Sequence, residues 1–123
     1  MIAPRGEENE VTDMGSGLTV SGTGTEGVLH AANDTGQVFA LLRHERLEEV
    51  ILLTNSASAT ALVPLLAKVR GVVCRSGGMT SHLAIVSREF GIACLMGAEL
   101  PGDEELEGTR VRIDEQGIVH RVE

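Results

Sequence analysis

Three unbroken apolar runs of strand length mark the middle of the chain: Val50-Ile51-Leu52-Leu53, Val72-Val73-Cys74 and Ile92-Ala93-Cys94-Leu95-Met96. Continuous rather than alternating apolar character predicts strands buried on both faces, and hence parallel neighbours. Between the runs the period becomes helical. Leu62, Leu65, Leu66 and Val69 share one helical face, with Pro64 in the first turn and Gly71 as the stop. Residues 80–90 predict a second helix, ended by Gly91. Strand, helix, strand, helix, strand is an α/β unit whose crossovers should be right-handed.

The flanks follow other patterns. Leu18-Thr19-Val20 and Val28-Leu29-His30-Ala31-Ala32 predict two short strands around a glycine-rich turn. Asp34 with Gln37 three residues later resembles a capping box, and Val38, Leu41 and Leu42 continue at helical spacing. At the far end Val111 and Ile113 alternate with Arg110 and Arg112. Asp114-Glu115-Gln116-Gly117 then turns into Ile118–Val122, a β-hairpin with a four-residue loop. Pro101 to Glu107 is an acidic stretch, expected to be a solvated connection rather than a metal site. Residues 1–16 lack apolar periodicity and are expected to be a flexible tail, leaving 17–123 as one domain.

Composition excludes several classes of function. Aromatic content is 2%, without Trp or Tyr, which argues against a stacking platform for single-stranded nucleic acid. A formal net charge of −8 argues against binding to a phosphate backbone. Cys74 and Cys94 sit inside apolar runs and read as buried, reduced thiols. No apolar stretch reaches the ~18 residues of a membrane span, and no basic-then-apolar leader opens the chain, so a cytoplasmic protein is expected.

Candidate chemistry concentrates in Gly77-Gly78-Met79-Thr80-Ser81-His82. The glycines let the backbone turn with amides exposed, and the following helix offers its unbonded N–H groups and the positive end of its dipole to an anion. Thr80 or Ser81 can cap the helix while the other hydroxyl orients the His82 imidazole. An imidazole in water titrates near pH ~6.5, so it is available as a neutral nucleophile, and its phosphoramidate is a good donor. Reversible phosphoryl carriage on His82 is the use this chemistry suggests. The plainer reading is a histidine that merely solvates a helix start. His30, His44 and His120 read as structural or exposed.

Gly-Gly-Met-Thr-Ser-His followed by Leu83-Ala84-Ile85-Val86-Ser87-Arg88-Glu89-Phe90-Gly91-Ile92 resembles the phosphohistidine, or mobile swivelling, domain of the phosphoenolpyruvate-utilising enzymes. These include pyruvate phosphate dikinase, phosphoenolpyruvate synthase and the rifampicin phosphotransferases. The likeness extends from about residue 18 to residue 122, through the helix with Pro64, Gly97 and the Gly108–Asp114 hairpin. The chain departs from the family's usual pattern at Ala93, Ser87, Ala59-Thr60 and Thr25-Glu26-Gly27.

The resemblance implies an α/β fold: a compact swivelling β/β/α domain with helices packed on a central sheet and a C-terminal hairpin. It implies that His82 is the phosphorylated residue, with Gly77, Gly78, Thr80 and Ser81 around the phosphoryl group. It further implies partner domains or subunits, one nucleotide-binding and ATP-grasp-like and one binding phosphoenolpyruvate or pyruvate. These would hold Mg²⁺ and ATP or phosphoenolpyruvate, and this chain would bind no metal or cofactor. Catalysis by the chain alone is not expected, because no loop supplies cationic clamps for phosphoryl transfer. The alternative is a regulatory or docking module that keeps the fold without turnover. The acidic stretch Asp103–Glu107 suggests a basic docking surface on the partner.

Overall fold

Every apolar run of the central region becomes a strand in the computed structural model, which describes residues 11–22, 24–56 and 60–122. In chain order the elements are β1 (Val11–Ser21), β2 (Thr25–Ala31), α1 (Thr35–Leu42), a single 3₁₀ turn (Leu47–Glu49), β3 (Val50–Thr54), α2 (Val63–Leu66) and β4 (Gly71–Cys74). They continue with α3 (His82–Phe90), β5 (Ala93–Glu99), α4 (Asp103–Leu106), β6 (Arg110–Ile113) and β7 (Ile118–Val122). β2, β3, β4 and β5 run parallel, and the expected hairpin β6–β7 is antiparallel.

The sheet is closed. Its order is β1-β5-β4-β3-β2-β6-β7, with β1 bridging β5 and β7 antiparallel to both. The α/β class holds, and the expected central sheet closes into a seven-stranded barrel carrying few helices. Alternate residues of β3 explain its unbroken apolar run: Ile51 and Leu53 point into the barrel, where they meet Leu29, Val73, Leu95, Val111 and Val119. Val50 and Leu52 point outward, under Leu41, Leu65, Leu66, Leu83 and Ala84 of the helical layer. Each fully buried aliphatic side chain contributes roughly 1.5–3 kcal/mol, so this two-sided strand anchors both cores at once.

Three local expectations change. Residues 11–16, expected within the tail, belong to β1 and pair with β7; residues 1–10 lie outside the described residues. The strand's polar, glycine-containing sequence hides its pairing, because only part of it faces a core. Gly71 does not stop a helix. It opens β4, pairing with Ile51 and Ala93, while α2 ends at Leu66 with Pro64 in its first turn. The acidic stretch is not wholly a solvated connection, because its middle forms α4, whose Leu106 is fully buried among the barrel's interior side chains. The capping box holds nearly as expected: Asp34 accepts from the Gln37 amide at 2.8 Å, and Gln37 returns a bond to the amide of Asn33, one residue before the cap. Among the described residues no helix is long and apolar enough to cross a membrane.

Closure of the barrel depends on a contact between glycines far apart in the chain. Gly17 donates its N–H to the Gly117 carbonyl at 3.0 Å. Gly117 has φ +82, and a Cβ built there would lie 2.3 Å from the Gly17 carbonyl oxygen. Substitution Gly117→Ala should therefore cost at least ~2 kcal/mol, from left-handed strain plus a backbone clash. Urea unfolding measures it, and a loss under ~0.5 kcal/mol would contradict this account of the closure.

The hairpin loop carries an acid-sensitive tie. Asp114 accepts from the amides of Gln116 and Ile118 and meets His120 Nε2 at 2.8 Å. The His120 contact first, and then the Ile118 amide, hold its carboxyl below the ordinary value of 3.8. A depressed carboxyl stabilises the fold above its unfolded pKa and loses that contribution as pH falls through the folded value. The stability gap between wild type and Asp114→Asn should thus narrow as pH is lowered from about 4 to about 2, read from urea midpoints. A gap that widens on acidification would contradict the sign.

Candidate functional site

The candidate residues occupy one end of the barrel, where the parallel strands β2–β5 leave their carboxyl ends; in open parallel sheets this is the end at which ligands gather. β4 is apolar through Cys74, and the chain then turns polar in Arg75-Ser76 before the glycines. Gly77 has φ 80, and a Cβ added to Gly97, itself at φ 61, would come 3.3 Å from the Gly77 carbonyl oxygen. The Gly97 amide donates to the Ser76 carbonyl at 3.2 Å. The two glycines let the loop after β4 lie against the middle of β5.

From there the loop folds onto itself. Ser81 N donates to the Gly78 carbonyl at 3.0 Å, and Gly78 N donates to Ser81 Oγ at 2.8 Å. Arg88, one turn from the end of α3, reaches back to the Met79 carbonyl at 3.2 Å. α3 starts its ladder with Ile85 N to the Ser81 carbonyl, so the amides of Leu83 and Ala84 precede the first intrahelical bond. His82 is the first helical residue and is exposed, as are Met79 and Thr80.

Of the named site residues, the structure brings Gly78, Ser81 and His82 into one closed turn, with Gly77 at its root and Thr80 on its outer side. Two expectations change. Ser81 stands at the cap position, but its hydroxyl makes no cap bond with the helix, because it is occupied by the Gly78 amide. For the same reason the Gly78 N–H is turned inward to the loop rather than presented outward.

α3 is held from beneath by Leu83, Ala84 and Ser87, all buried. Burial pushes the Cys94 thiol up to about 11, opposed by the adjacent Ser87 hydroxyl, which itself lacks a well-formed hydrogen bond among the described residues. Both cysteines are buried and free, as expected. Such a thiol is a packing group, not a nucleophile.

Sequence reasoning missed the residues behind the loop. Arg75 donates through Nε and Nη2 to Asp103 Oδ1, and through its guanidinium to the carbonyls of Leu100 and Pro101. Asp103 also takes a bond from Asn33 Nδ2 at 2.7 Å. Glu107 accepts from the Ala31 amide and pairs with His30 Nδ1 at 2.6 Å. Of the acids read as a basic partner's docking surface, Asp103 and Glu107 are thus tied to the barrel's own strand ends. The only sequence signal was the adjacency of Arg75 to the glycines.

Among the described residues no group of three or more His, Cys, Asp or Glu could hold a metal ion. His30 and His44 approach each other beside α1, with ring centroids 5.3 Å apart. His44 Nδ1 accepts from the Arg46 amide at 3.1 Å.

A probable phosphoenolpyruvate synthase from Archaeoglobus fulgidus is 30% identical over 115 residues, which cover 92% of this chain and 15% of that protein. The chain therefore spans about a seventh of that relative's length. A solved structure described as the N-terminal domain of Enzyme 1 - Nitrogen matches with a TM-score of 0.52 and 28% identity, over 71% of this chain and 38% of that one. A chain of the holo-form of aconitase X from Thermococcus kodakaraensis matches with a TM-score of 0.56 over 89% of this chain and 98% of that one. At 16% identity that likeness concerns the fold alone. The family model for the mobile domain of PEP-utilising enzymes matches residues 47–117, from the turn before β3 to the hairpin loop. With more than half of its length matched, and with the loop and helix start of the motif at the mouth of the barrel, the chain belongs to the mobile-domain family of the phosphoenolpyruvate-utilising enzymes.

Proposed function

We propose that this chain is a phosphocarrier domain in which His82 accepts a phosphoryl group and hands it on within a phosphoenolpyruvate-utilising phosphotransferase. The observation that carries the reading is the exposed His82 at the first position of α3, on a loop whose other side is fixed to the barrel. A neutral imidazole nitrogen attacks the donor phosphorus, the P–O bond to the leaving group breaks, and the ring sheds its N–H proton as the P–N bond forms. The return step reverses these bonds onto the acceptor. The first-turn amides of α3 favour the anionic group, Gly77 and Gly78 set the loop's path, Thr80 lies on the exposed side, and Ser81 locks the turn.

Two partner domains or subunits supply the rest in this reading: an ATP-grasp-like nucleotide-binding unit and a unit binding phosphoenolpyruvate or pyruvate, in a cytoplasmic setting. They carry Mg²⁺, the donor and the cationic clamps that phosphoryl transfer requires. This chain contributes the carrier, and activity on its own is not part of the proposal.

The test incubates the full chain with candidate nucleotide-binding and phosphoenolpyruvate-binding domains, Mg²⁺, and ATP or phosphoenolpyruvate. Intact mass should show an acid-labile adduct of ~80 Da on wild type and none on His82→Ala. Because His82 is exposed, His82→Ala should keep its stability within about 0.5 kcal/mol, so a lost adduct reports chemistry rather than unfolding. An adduct that persists in His82→Ala would sink the assignment. Its absence from wild type with every partner would leave a docking or regulatory module.

A further inference from the structure

The strand ends beneath the candidate loop are joined by a closed circuit of hydrogen bonds that no part of the function above uses. Arg75, at the end of β4, bonds to Asp103 Oδ1. Asp103 Oδ2 accepts from Asn33 Nδ2 at 2.7 Å, just past β2. Asn33 Oδ1 accepts from the Asn55 amide at 2.7 Å, just past β3. The Asn55 carbonyl accepts from Ser76 Oγ at 2.8 Å, which returns the circuit to the residue after Arg75. Ser76 also accepts, through its carbonyl, from Gly97 of β5. Arg75 also donates to the Leu100 carbonyl, just past β5, so the ends of all four parallel strands are tied to Arg75-Ser76, the two residues directly before Gly77.

Each link is specific to its side chain. Asn33 is the one residue that donates to Asp103 and accepts from Asn55, so an apolar residue there opens the circuit at two points. Arg75 grips one carboxylate oxygen and two carbonyls in a fixed fork, a geometry that a lysine does not reproduce. The Arg75–Asp103 pair is only about a quarter exposed, 21% and 30%. Water therefore competes less there than at an open surface pair. From Ser76 the path to the histidine is short: Gly77, then the two hydrogen bonds between Gly78 and Ser81 that close the turn, then His82.

We propose that Arg75, Asp103 and Asn33 are positioning residues for His82. Their circuit fixes the root of the loop, and with it the placing of the imidazole against the helix amides. The proposal rests on the phosphocarrier reading. It adds that residues 49 positions upstream and 21 positions downstream of the histidine set its reactivity without touching it. A misplacement of about 1 Å can cost on the order of a hundredfold in a positioned reaction, so loosening the root should be visible in rate.

The circuit suggests its own compensating change. Asn33→Asp sets a second carboxylate against Asp103 and breaks the link. Asp103→Asn alone weakens the hold on Arg75 and places two amides face to face. Combined, the exchange restores it, because an amide at 103 can donate to a carboxylate at 33 while its oxygen faces Arg75, and the carboxylate at 33 still accepts from Asn55.

The experiment uses the full chain and potassium phosphoramidate as a partner-free donor, whose P–N bond breaks with release of ammonia as the bond to imidazole forms. Formation and hydrolysis of phosphohistidine at His82 are followed by ³¹P NMR. The ring signals of His82, assigned with His82→Ala, are followed in ¹⁵N-histidine-labelled protein. Asn33→Asp and Asn33→Ala should slow formation or speed hydrolysis about tenfold and shift the His82 ring signals. The exchanged pair Asn33→Asp with Asp103→Asn should return both to within about threefold of wild type. Thermal unfolding of each variant accompanies the rates, and Arg75→Lys is the milder variant should Asn33→Asp fail to fold. If wild type is phosphorylated at His82 while the variants match it in rate and ring signals, the circuit is structural only and the proposal is overturned, with the carrier reading intact. A wild-type chain that takes up no phosphoryl group at His82 overturns the positioning proposal, because no reactive imidazole is then set by the circuit, while the carrier reading stands or falls on the adduct formed with partner domains.

Discussion

Because β3 and β4 are buried on both faces, between the barrel interior and the helical layer, they leave no room for an unpaired polar side chain along their length. A buried hydroxyl or amide without a partner costs on the order of 1–3 kcal/mol, comparable with what one buried aliphatic side chain contributes. Polar chemistry is therefore displaced to the strand ends. Since β2, β3, β4 and β5 are parallel, their carboxyl ends open at the same mouth, and their exits, at Asn33, Asn55, Arg75 and Leu100, are linked through hydrogen bonds. The candidate loop could be built at few other places in this barrel.

The parts of the molecule readable from sequence are those whose signal is local. Val50–Leu53 read as a two-faced strand because burial on both sides suppresses alternation. Asp34 and Gln37 read as a helix start because the cap geometry spans only three residues. His82 read as a helix N-terminus because two hydroxyls and two glycines precede an apolar stripe. The unread parts depend on contacts between distant positions. β1 is polar and interrupted by Gly15 and Gly17, glycines that gain their meaning only from close approaches by distant residues: Glu99 to Gly15, and β5 together with the Gly117 carbonyl to Gly17. The end of α2 was misplaced because Gly71 pairs in β4, a fact its own neighbours do not announce.

The same distinction separates the correct from the incorrect readings at the site. Sequence located the turn but distributed its hydroxyls wrongly: Ser81 serves the Gly78 amide, not the helix cap. Cap preferences describe the bond from the side chain to the helix's own first-turn amides. Here the preceding loop folds back, and the nearest donor to Ser81 is the loop's own backbone. Asp103 was lost in an acidic run for a related reason. Composition describes Asp103–Glu107 as one charged segment, while the fold turns Asp103 and Glu107 toward the strand ends and Leu106 into the barrel.

A residue that receives a group from one partner and gives it to another has to stay accessible from outside, so the domain cannot immobilise it by burial. Precision must come from behind. The contacts of this turn follow that division: Met79, Thr80 and His82 are exposed on the outer side, while Gly78, Ser76 and the Met79 carbonyl are engaged by Ser81, by Gly97 and Asn55, and by Arg88. Nearly all of these bonds involve main-chain atoms, which leaves the side chains of the outer face to suit whatever partner approaches. On the carrier reading proposed above, substitutions on that face would alter partner choice while the histidine keeps its place, the separation of recognition from chemistry that a domain serving two sites needs.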